Sequence, residues 1–301
     1  METVDSDYDF SHVHASLDKY VQDDLLAMAA SVVLDGQDIV DVHLAGHQDR
    51  EAERLIQADS IYRIYSSTKL ITSCAAMMLW EEGQFQLDDP LRDYLPELGS
   101  LNVLKDGAND VGLVEPVAVE PTIRQLMCHN AGFSYGLFAE SLVDPIYTAA
   151  GVSAPTATLE DMVRKLGDIP LAYQPGRRWQ YSVSVDVLGR LIEILSGLRF
   201  GEFLSQRIFE PLGMIDTGFH VPTEKHDRLC ANYAPVNMLD PMEPGLNVVP
   251  DTLLGDYLEP KAMESGGGGL VSTIGDYTRF IQMIVGGGFL NDARILQPAT
   301  L

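Results

Sequence analysis

Cysteine is scarce in this chain of 301 residues: Cys74, Cys128 and Cys230 are all it has. The odd count and the spacing fit neither a disulfide framework nor a zinc site, and free thiols suit a reducing compartment. Basic residues are few as well. Twenty Lys and Arg stand against 44 Asp and Glu, for a net charge of −24. Such a surface repels phosphate backbones, so nucleic acid is disfavoured as a partner, and anionic membrane surfaces are disfavoured for the same reason. The plain reading of the charge is solubility; adaptation to salt is a second one. Long apolar runs are missing too. The longest, LLAMAASVVL, is too short to span a bilayer. The acidic start, METVDSDYDFSHVH, has no apolar core of a secretory signal. These absences together point to the cytoplasm. The seven histidines show no H-E-x-x-H or other metal spacing, and no repeat period suggests a solenoid.

What is present is a globular composition, 46% apolar and 21% charged, long enough for one large domain or two ordinary ones. Residues 10 to 26 have the pattern of an amphipathic helix. Two β-rich runs follow around Asp35-Gly36, a strong hairpin signal. From Ser67 the apolar residues Leu70, Ile71, Cys74, Ala75, Met78 and Leu79 fall at helical spacing, with Gly83 as a stop. Residues 100 to 120 read as irregular loop. TIRQLMCHNAG predicts a helix from a Thr cap to near Gly132, and SVSVDVLGRLIEILSG one ended by Gly197. GEFLSQRIFEPLGM predicts another. A long loop covers 221 to about 262, a helix starts near Ile274, and ILQPATL reads as the start of one more.

The strongest chemical signal is Ser66-Ser67-Thr68-Lys69, an S-x-x-K at a helix start. Residues three apart share a helix face, which brings the Lys69 amine beside the Ser66 hydroxyl. Serine is a weak nucleophile until a base takes its proton, and a helix N-terminus favours the negative charge that develops. Alone, the motif fits a capping serine and a solvated lysine equally well. Tyr181, in GRRWQYSVSVDVLG, precedes a helix and is either a proton relay or a packed ring.

A rival nucleophile is Ser134, because Gly132-Phe133-Ser134-Tyr135-Gly136 fits the G-x-S-x-G elbow of α/β-hydrolases. The elbow needs a strand before it and a helix after it. Here a helix and a glycine precede, and the opening hairpin disfavours a parallel βα sheet. The segment therefore reads as a Gly-rich loop at the rim of the site. Asp216-Thr217-Gly218 copies half of an aspartic-protease pair and reads as a turn. Gly266 to Gly269 lack the context of a phosphate loop and read as a tight turn beside the site.

SSTK at a helix start, CHNAG, PGRRWQYS, RIFEPLGMIDTGF and GGGGLVSTIGDYTRF occur in one order. In that order the chain resembles the serine β-lactamase-like superfamily, which includes class C β-lactamases, D-Ala-D-Ala carboxypeptidases and family VIII carboxylesterases. The resemblance runs from about residue 20 to the end. It implies an α+β fold, an antiparallel sheet flanked by helices beside a mostly helical region. Residues 1–65 and 262–301 would form the α/β part and 66–261 the helical part of one catalytic domain. It implies Ser66 as the acylated nucleophile and Lys69 and Tyr181 as the residues that share the proton work. No metal or organic cofactor is implied.

YSVSVDVLG looks most like family VIII carboxylesterases. Where class C β-lactamases carry an amide two residues after the tyrosine, this chain has Val183, which has no hydrogen-bonding group. The superfamily's late Lys-Thr-Gly or His-Thr-Gly strand is missing, so the sequence reads as C-terminally truncated, with its first two strands short of sheet neighbours. The resulting expectation is a serine hydrolase for short-chain esters, with Trp179, Tyr135 and Val183 at the substrate. The alternatives are a β-lactam, a D-amino-acid peptide or an acceptor alcohol at the same site, or an inert scaffold. The oligomeric state is not legible.

Overall fold

The chain opens with the helix and hairpin its pattern predicts. The computed structural model describes residues 1–136, 141–250 and 256–301. Helix α1 (Ser11–Gln22) lies on the hairpin of β1 (Met28–Asp35) and β2 (Asp38–Asp49). The register pairs Asp35 with Asp38, so Asp35 closes the strand and Gly36 and Gln37 make the turn. Gly36 has φ +60°, a left-handed conformation that glycine adopts without penalty. The helix is tied down by two imidazole–carboxylate pairs. His14 Nε2 lies 2.8 Å from Asp41 Oδ2, His43 Nε2 lies 2.8 Å from Asp18 Oδ1, and the two rings stack at 4.2 Å. Strand β3 (Arg54–Leu55) pairs with β2 to give the order β1-β2-β3. β2 thus has the neighbour that the sequence led us to expect it to lack.

Next come β4 (Ile61–Arg63), a 3₁₀ turn (Tyr65–Ser67) and α2 (Thr68–Glu81). The buried stripe of α2 runs through Ile71, Cys74, Ala75, Met78 and Leu79. Leu70, expected on that stripe, is exposed, because the helix turns its face toward Ile71. Each large side chain on the stripe contributes about 1.5–3 kcal/mol by leaving water. The stripe packs against α6 (Ser184–Ser196), whose Val185, Val187, Leu188, Leu191 and Ile192 are buried. This helix pair is the centre of the core.

The segment expected to be loop at 100 to 120 contains a small ladder, β5 (Asn102–Leu104) with β6 (Val114–Pro116). Helix α3 (Ile123–Met127) starts at the expected Thr122 cap but stops five residues before Gly132, at Met127. α4 (Asp144–Ala150) and α5 (Leu159–Gly167) follow. After α6, α7 (Phe200–Leu204) continues through a π-turn (Ser205–Phe209) into α8 (Glu210–Leu212). The long loop from 221 holds a second unforeseen hairpin, β7 (Asn232–Pro235) with β8 (Leu246–Val249); its residues 251–255 lie outside the described residues. Strand β9 (Val271–Thr273) pairs antiparallel with β4 and leads into α9 (Ile274–Val285). β10 (Phe289–Leu290) and β11 (Ala293–Arg294) then form a tight hairpin. Gln297 to Thr300 make a turn, not the helix start that ILQPATL suggested: the Thr300 N–H donates to the Gln297 carbonyl at 3.0 Å. No helix among the described residues is long and apolar enough to cross a membrane.

Candidate active site

Ser66 stands in the 3₁₀ turn between β4 and α2. The turn is held from behind, because β4 pairs with β9 and the Ile64 N–H donates to the Leu270 carbonyl at 3.1 Å. Tyr65, the residue before it, has φ +40°, a left-handed conformation that costs a non-glycine residue of order 1–3 kcal/mol. The bend points the Ser66 hydroxyl outward, where it is exposed.

Three predicted residues meet there. The Ser66 Oγ and the Tyr181 phenol oxygen are 2.6 Å apart, a short hydrogen bond that either can donate. Lys69 Nζ donates to Ser66 Oγ at 3.4 Å, at the long end of the range, and also donates to the Gly267 carbonyl. The ammonium lies 4.5 Å from the centre of the Tyr181 ring. Cationic charge near an aromatic ring is favourable.

Two rings stack on Tyr181: His129 at 5.0 Å and Tyr135 at 5.3 Å between centroids, both within about 26° of parallel. His129 is itself buried with φ +55°, its Nδ1 accepting from the Ser182 N–H at 3.2 Å. Burial, with the nearby Lys69 charge, pushes its imidazole down to about 4. His129 belongs to the CHNAG stretch, but its stacking on Tyr181 was not legible in the sequence, since the residue is left-handed, outside any helix or strand, and meets Tyr181 only through the fold. Trp179 is 66% exposed, edge-on to His129 at 6.2 Å, so it stands at the rim. Val183 is not at the substrate side. It is 1% exposed, with its side chain in the core where α6 begins and its N–H donating to the Ser134 carbonyl at 3.1 Å.

Of the Gly-rich segment, Tyr135 lines the cavity at Ser66, whereas Ser134 itself is buried, at 1% exposure. Its Oγ donates to Asp144 and accepts from Gln180 Nε2 at 2.7 Å. The preceding Gly132, at φ +99°, lies where a Cβ would meet the Tyr173 carbonyl at 2.6 Å. The segment that mimics an elbow is a tightly packed turn. Asp216 likewise is a structural turn residue, paired with Arg228 at 2.6 Å and Lys225 at 2.7 Å; those pairs hold its carboxyl below the usual range, against the burial that would raise it.

A cavity of about 370 Å³ opens at Ser66, walled by Tyr65, Tyr135, Tyr257 and Lys261. It shares Tyr135, Ser153, Met263 and Ser265 with a second cavity of about 500 Å³ that reaches Val152 and Met162. Burial, with the nearby Asp186 carboxylate, pushes the Tyr135 phenol well above its ordinary value, so it stays neutral. Asp186, on α6, is buried at the wall of the second cavity; burial raises its carboxyl, and hydrogen bonds from Ser265 and Gly267 oppose the rise. Among the described residues no three His, Cys, Asp or Glu side chains converge as a metal site would require.

Comparison with known proteins bears on the family and the fold. The sequence profile named Beta-lactamase matches residues 13–301. Protein Rv1367c of Mycobacterium tuberculosis is 31% identical over 288 residues, 95% of this chain and 69% of its own length. Esterase EstB of Burkholderia gladioli is 30% identical over 285 residues, 91% of this chain and 69% of its own. The solved structure of EstCE1, described as a hydrolase with promiscuous acyltransferase activity, superposes with a TM-score of 0.77. That match covers 96% of this chain and 74% of EstCE1 at 23% identity, a likeness of fold.

Proposed function

The chain belongs to the Beta-lactamase family, and on that premise we propose that it is a serine hydrolase cleaving short-chain carboxylic esters through an acyl-enzyme on Ser66. The observation that carries this reading is the contact of Ser66 Oγ with Tyr181 at 2.6 Å and Lys69 at 3.4 Å. Ser66 attacks the ester carbonyl as its proton passes to the Tyr181–Lys69 pair. The tetrahedral intermediate collapses, the C–O bond to the alcohol breaks, and the pair returns the proton to the departing alkoxide. Water then attacks the acyl-enzyme with the same pair as base, releasing acid and free Ser66. No metal or organic cofactor enters these steps.

Esterase EstB, at 30% identity, supports the ester as substrate class. An alkoxide leaves more readily than an amine, so an ester asks less of the site than a peptide. Val183 in the core brings no amide to a β-lactam, which favours the ester further. Tyr135 lines both cavities and is the proposed wall for the acyl group, with Trp179 at the mouth. The three cysteines are free thiols, which supports a reducing compartment such as the cytoplasm.

Fluorophosphonate labelling with peptide mass spectrometry tests the nucleophile, alongside turnover of p-nitrophenyl esters, nitrocefin and a D-Ala-D-Ala peptide. The expected adduct is on Ser66, with the ester turned over fastest. Ser66→Ala abolishes labelling and turnover, whereas Ser134→Ala keeps both. Labelling at Ser134, or turnover that survives Ser66→Ala, overturns the proposal. A faster rate on nitrocefin moves the substrate class to β-lactams.

A further inference from the structure

The glycine run beside the nucleophile has no chemistry assigned to it, yet its first two residues, Gly266 and Gly267, are anchored to the catalytic helix and to Asp186, while the Gly268 carbonyl accepts from the Tyr257 phenol at 3.3 Å. The Gly266 carbonyl accepts from Thr72 Oγ1 at 2.8 Å, and the Gly267 carbonyl accepts from Lys69 Nζ, both from α2. On the other side the Gly267 N–H donates to Asp186 Oδ1 at 3.0 Å, and Ser265 Oγ donates to the same oxygen at 2.5 Å. The segment is a strap between α2 and α6, and Asp186 is its fixing point on α6.

We infer that Asp186 is a positioning residue for the nucleophile: by gripping Ser265 and Gly267 it fixes the carbonyl that holds Lys69 beside Ser66. The inference rests on the roles proposed for Ser66 and Lys69. Its neighbours on α6 argue that the carboxylate is there for this contact. Val185, Val187 and Leu188 are buried and apolar, and a carboxylate among them is costly unless its acceptors are used. The glycines make the same point. A Cβ on Gly267 would fall 2.6 Å from Asp186 Oδ2, and one on Gly266 would fall 2.6 Å from the Val185 carbonyl. The backbone can come this close to α6 only without side chains. A short side chain at 266 or 267 would push the strap off Asp186, and the Gly267 carbonyl off Lys69.

Asp186→Ala, Asp186→Asn and Ser265→Ala test the clamp, each checked for wild-type circular dichroism. Ester turnover gives kcat and KM. Competitive acetylation of Lys69, read by mass spectrometry, reports the lysine directly and needs no turnover. Asp186→Ala is expected to lower kcat by about 10²-fold with KM little changed, the size of loss that misplacing a catalytic group by about 1 Å produces. Lys69 should acetylate several-fold faster once its carbonyl anchor is loose, on the order of a lost hydrogen bond. Asparagine keeps an oxygen acceptor and should restore kcat to within about tenfold of wild type. If Asp186→Ala does not fold, Ser265→Ala carries the test with a smaller loss of kcat and a smaller gain in Lys69 acetylation. A folded Asp186→Ala with wild-type kcat and Lys69 reactivity overturns the inference. So does a folded Asp186→Asn as impaired as the alanine, or a Ser265→Ala unchanged in both readouts when the alanine variant is unfolded. A chain that hydrolyses no ester but shows the Lys69 change keeps the clamp and loses the hydrolase reading.

Discussion

Tyr181, whose phenol meets Ser66, packs its ring against two flat side chains. His129 is the buried one of the two, and its burial gives a testable pH signature. The folded imidazole sits at about 4, against 6.5 when free in solution. Above the unfolded value both states are neutral and the residue contributes nothing to pH dependence. As pH falls from about 6.5 to about 4, the unfolded chain takes up a proton that the folded one refuses. Stability is therefore fullest above the unfolded value and declines by up to about 3 kcal/mol through that window. His129→Phe keeps a stacking ring and removes the titration. Urea unfolding of both proteins at several pH values should show wild type losing ground to the variant as pH drops. A difference that stays constant over the window refutes the assignment. Ser134 gives the second prediction for a single side chain. Alanine there leaves Asp144 and Gln180 short of a buried partner, which costs about 1–3 kcal/mol of stability while Ser66 labelling persists.

Helix starts are where sequence and structure agree best, because a cap is a local device. Thr122 accepts from the Gln125 N–H while the Gln125 side chain accepts from the Thr122 N–H, a reciprocal box that the order Thr-x-x-Gln announces. Thr122→Ala should cost about 1 kcal/mol in thermal or urea unfolding and leave kcat unchanged, since the Thr122 side chain bonds to Gln125 within α3 and to no residue of the site. An unchanged stability would mean that packing of Ile123 and Leu126 alone fixes the helix. The spacing of Ser66 and Lys69 was legible in the same local way, but on its own it fitted a capping serine equally well and left Tyr181 open as a packed ring; the roles of all three came from the resemblance to the β-lactamase-like superfamily. The pairing of β4 with β9 was not legible. Three-residue strands carry too few alternations to register, and their partners come from opposite ends of the chain. β5–β6 and β7–β8 escaped for the same shortness, and their segments look like loop because charge and proline interrupt them. Asp186 escaped differently. In SVSVDVLG it looks like a polar position on an amphipathic helix, and only the arrival of Ser265 and Gly267 turns it inward.

At the scale of the whole molecule the dominant fact is charge. Acidic residues exceed basic ones by 24, so most carboxylates have no cation to pair with, however well the available arginines are placed. The best of those pairs, Arg228 with Asp216, is largely buried and little affected by salt; exposed pairs such as Lys19 with Asp23 are each worth about 0–1 kcal/mol. Salt weakens both the attractions and the repulsions between exposed charges, and with this imbalance the repulsions are the larger sum. Raising NaCl from about 0.01 M to about 0.15 M shortens the screening length from about 30 Å to about 8 Å, less than the span of the protein. The folded chain concentrates its charge more than the unfolded one, so it gains more from screening. The urea midpoint should rise over that interval and level off above it. Chloride salts suit the test, because sulfate strengthens apolar burial by a separate route. A flat midpoint would show that the acidic surface is already spread widely enough to repel little, and it would remove adaptation to salt as the reason for so many carboxylates. A falling one would mean that exposed ion pairs such as Arg124 with Asp88 hold more of the fold than their exposure suggests.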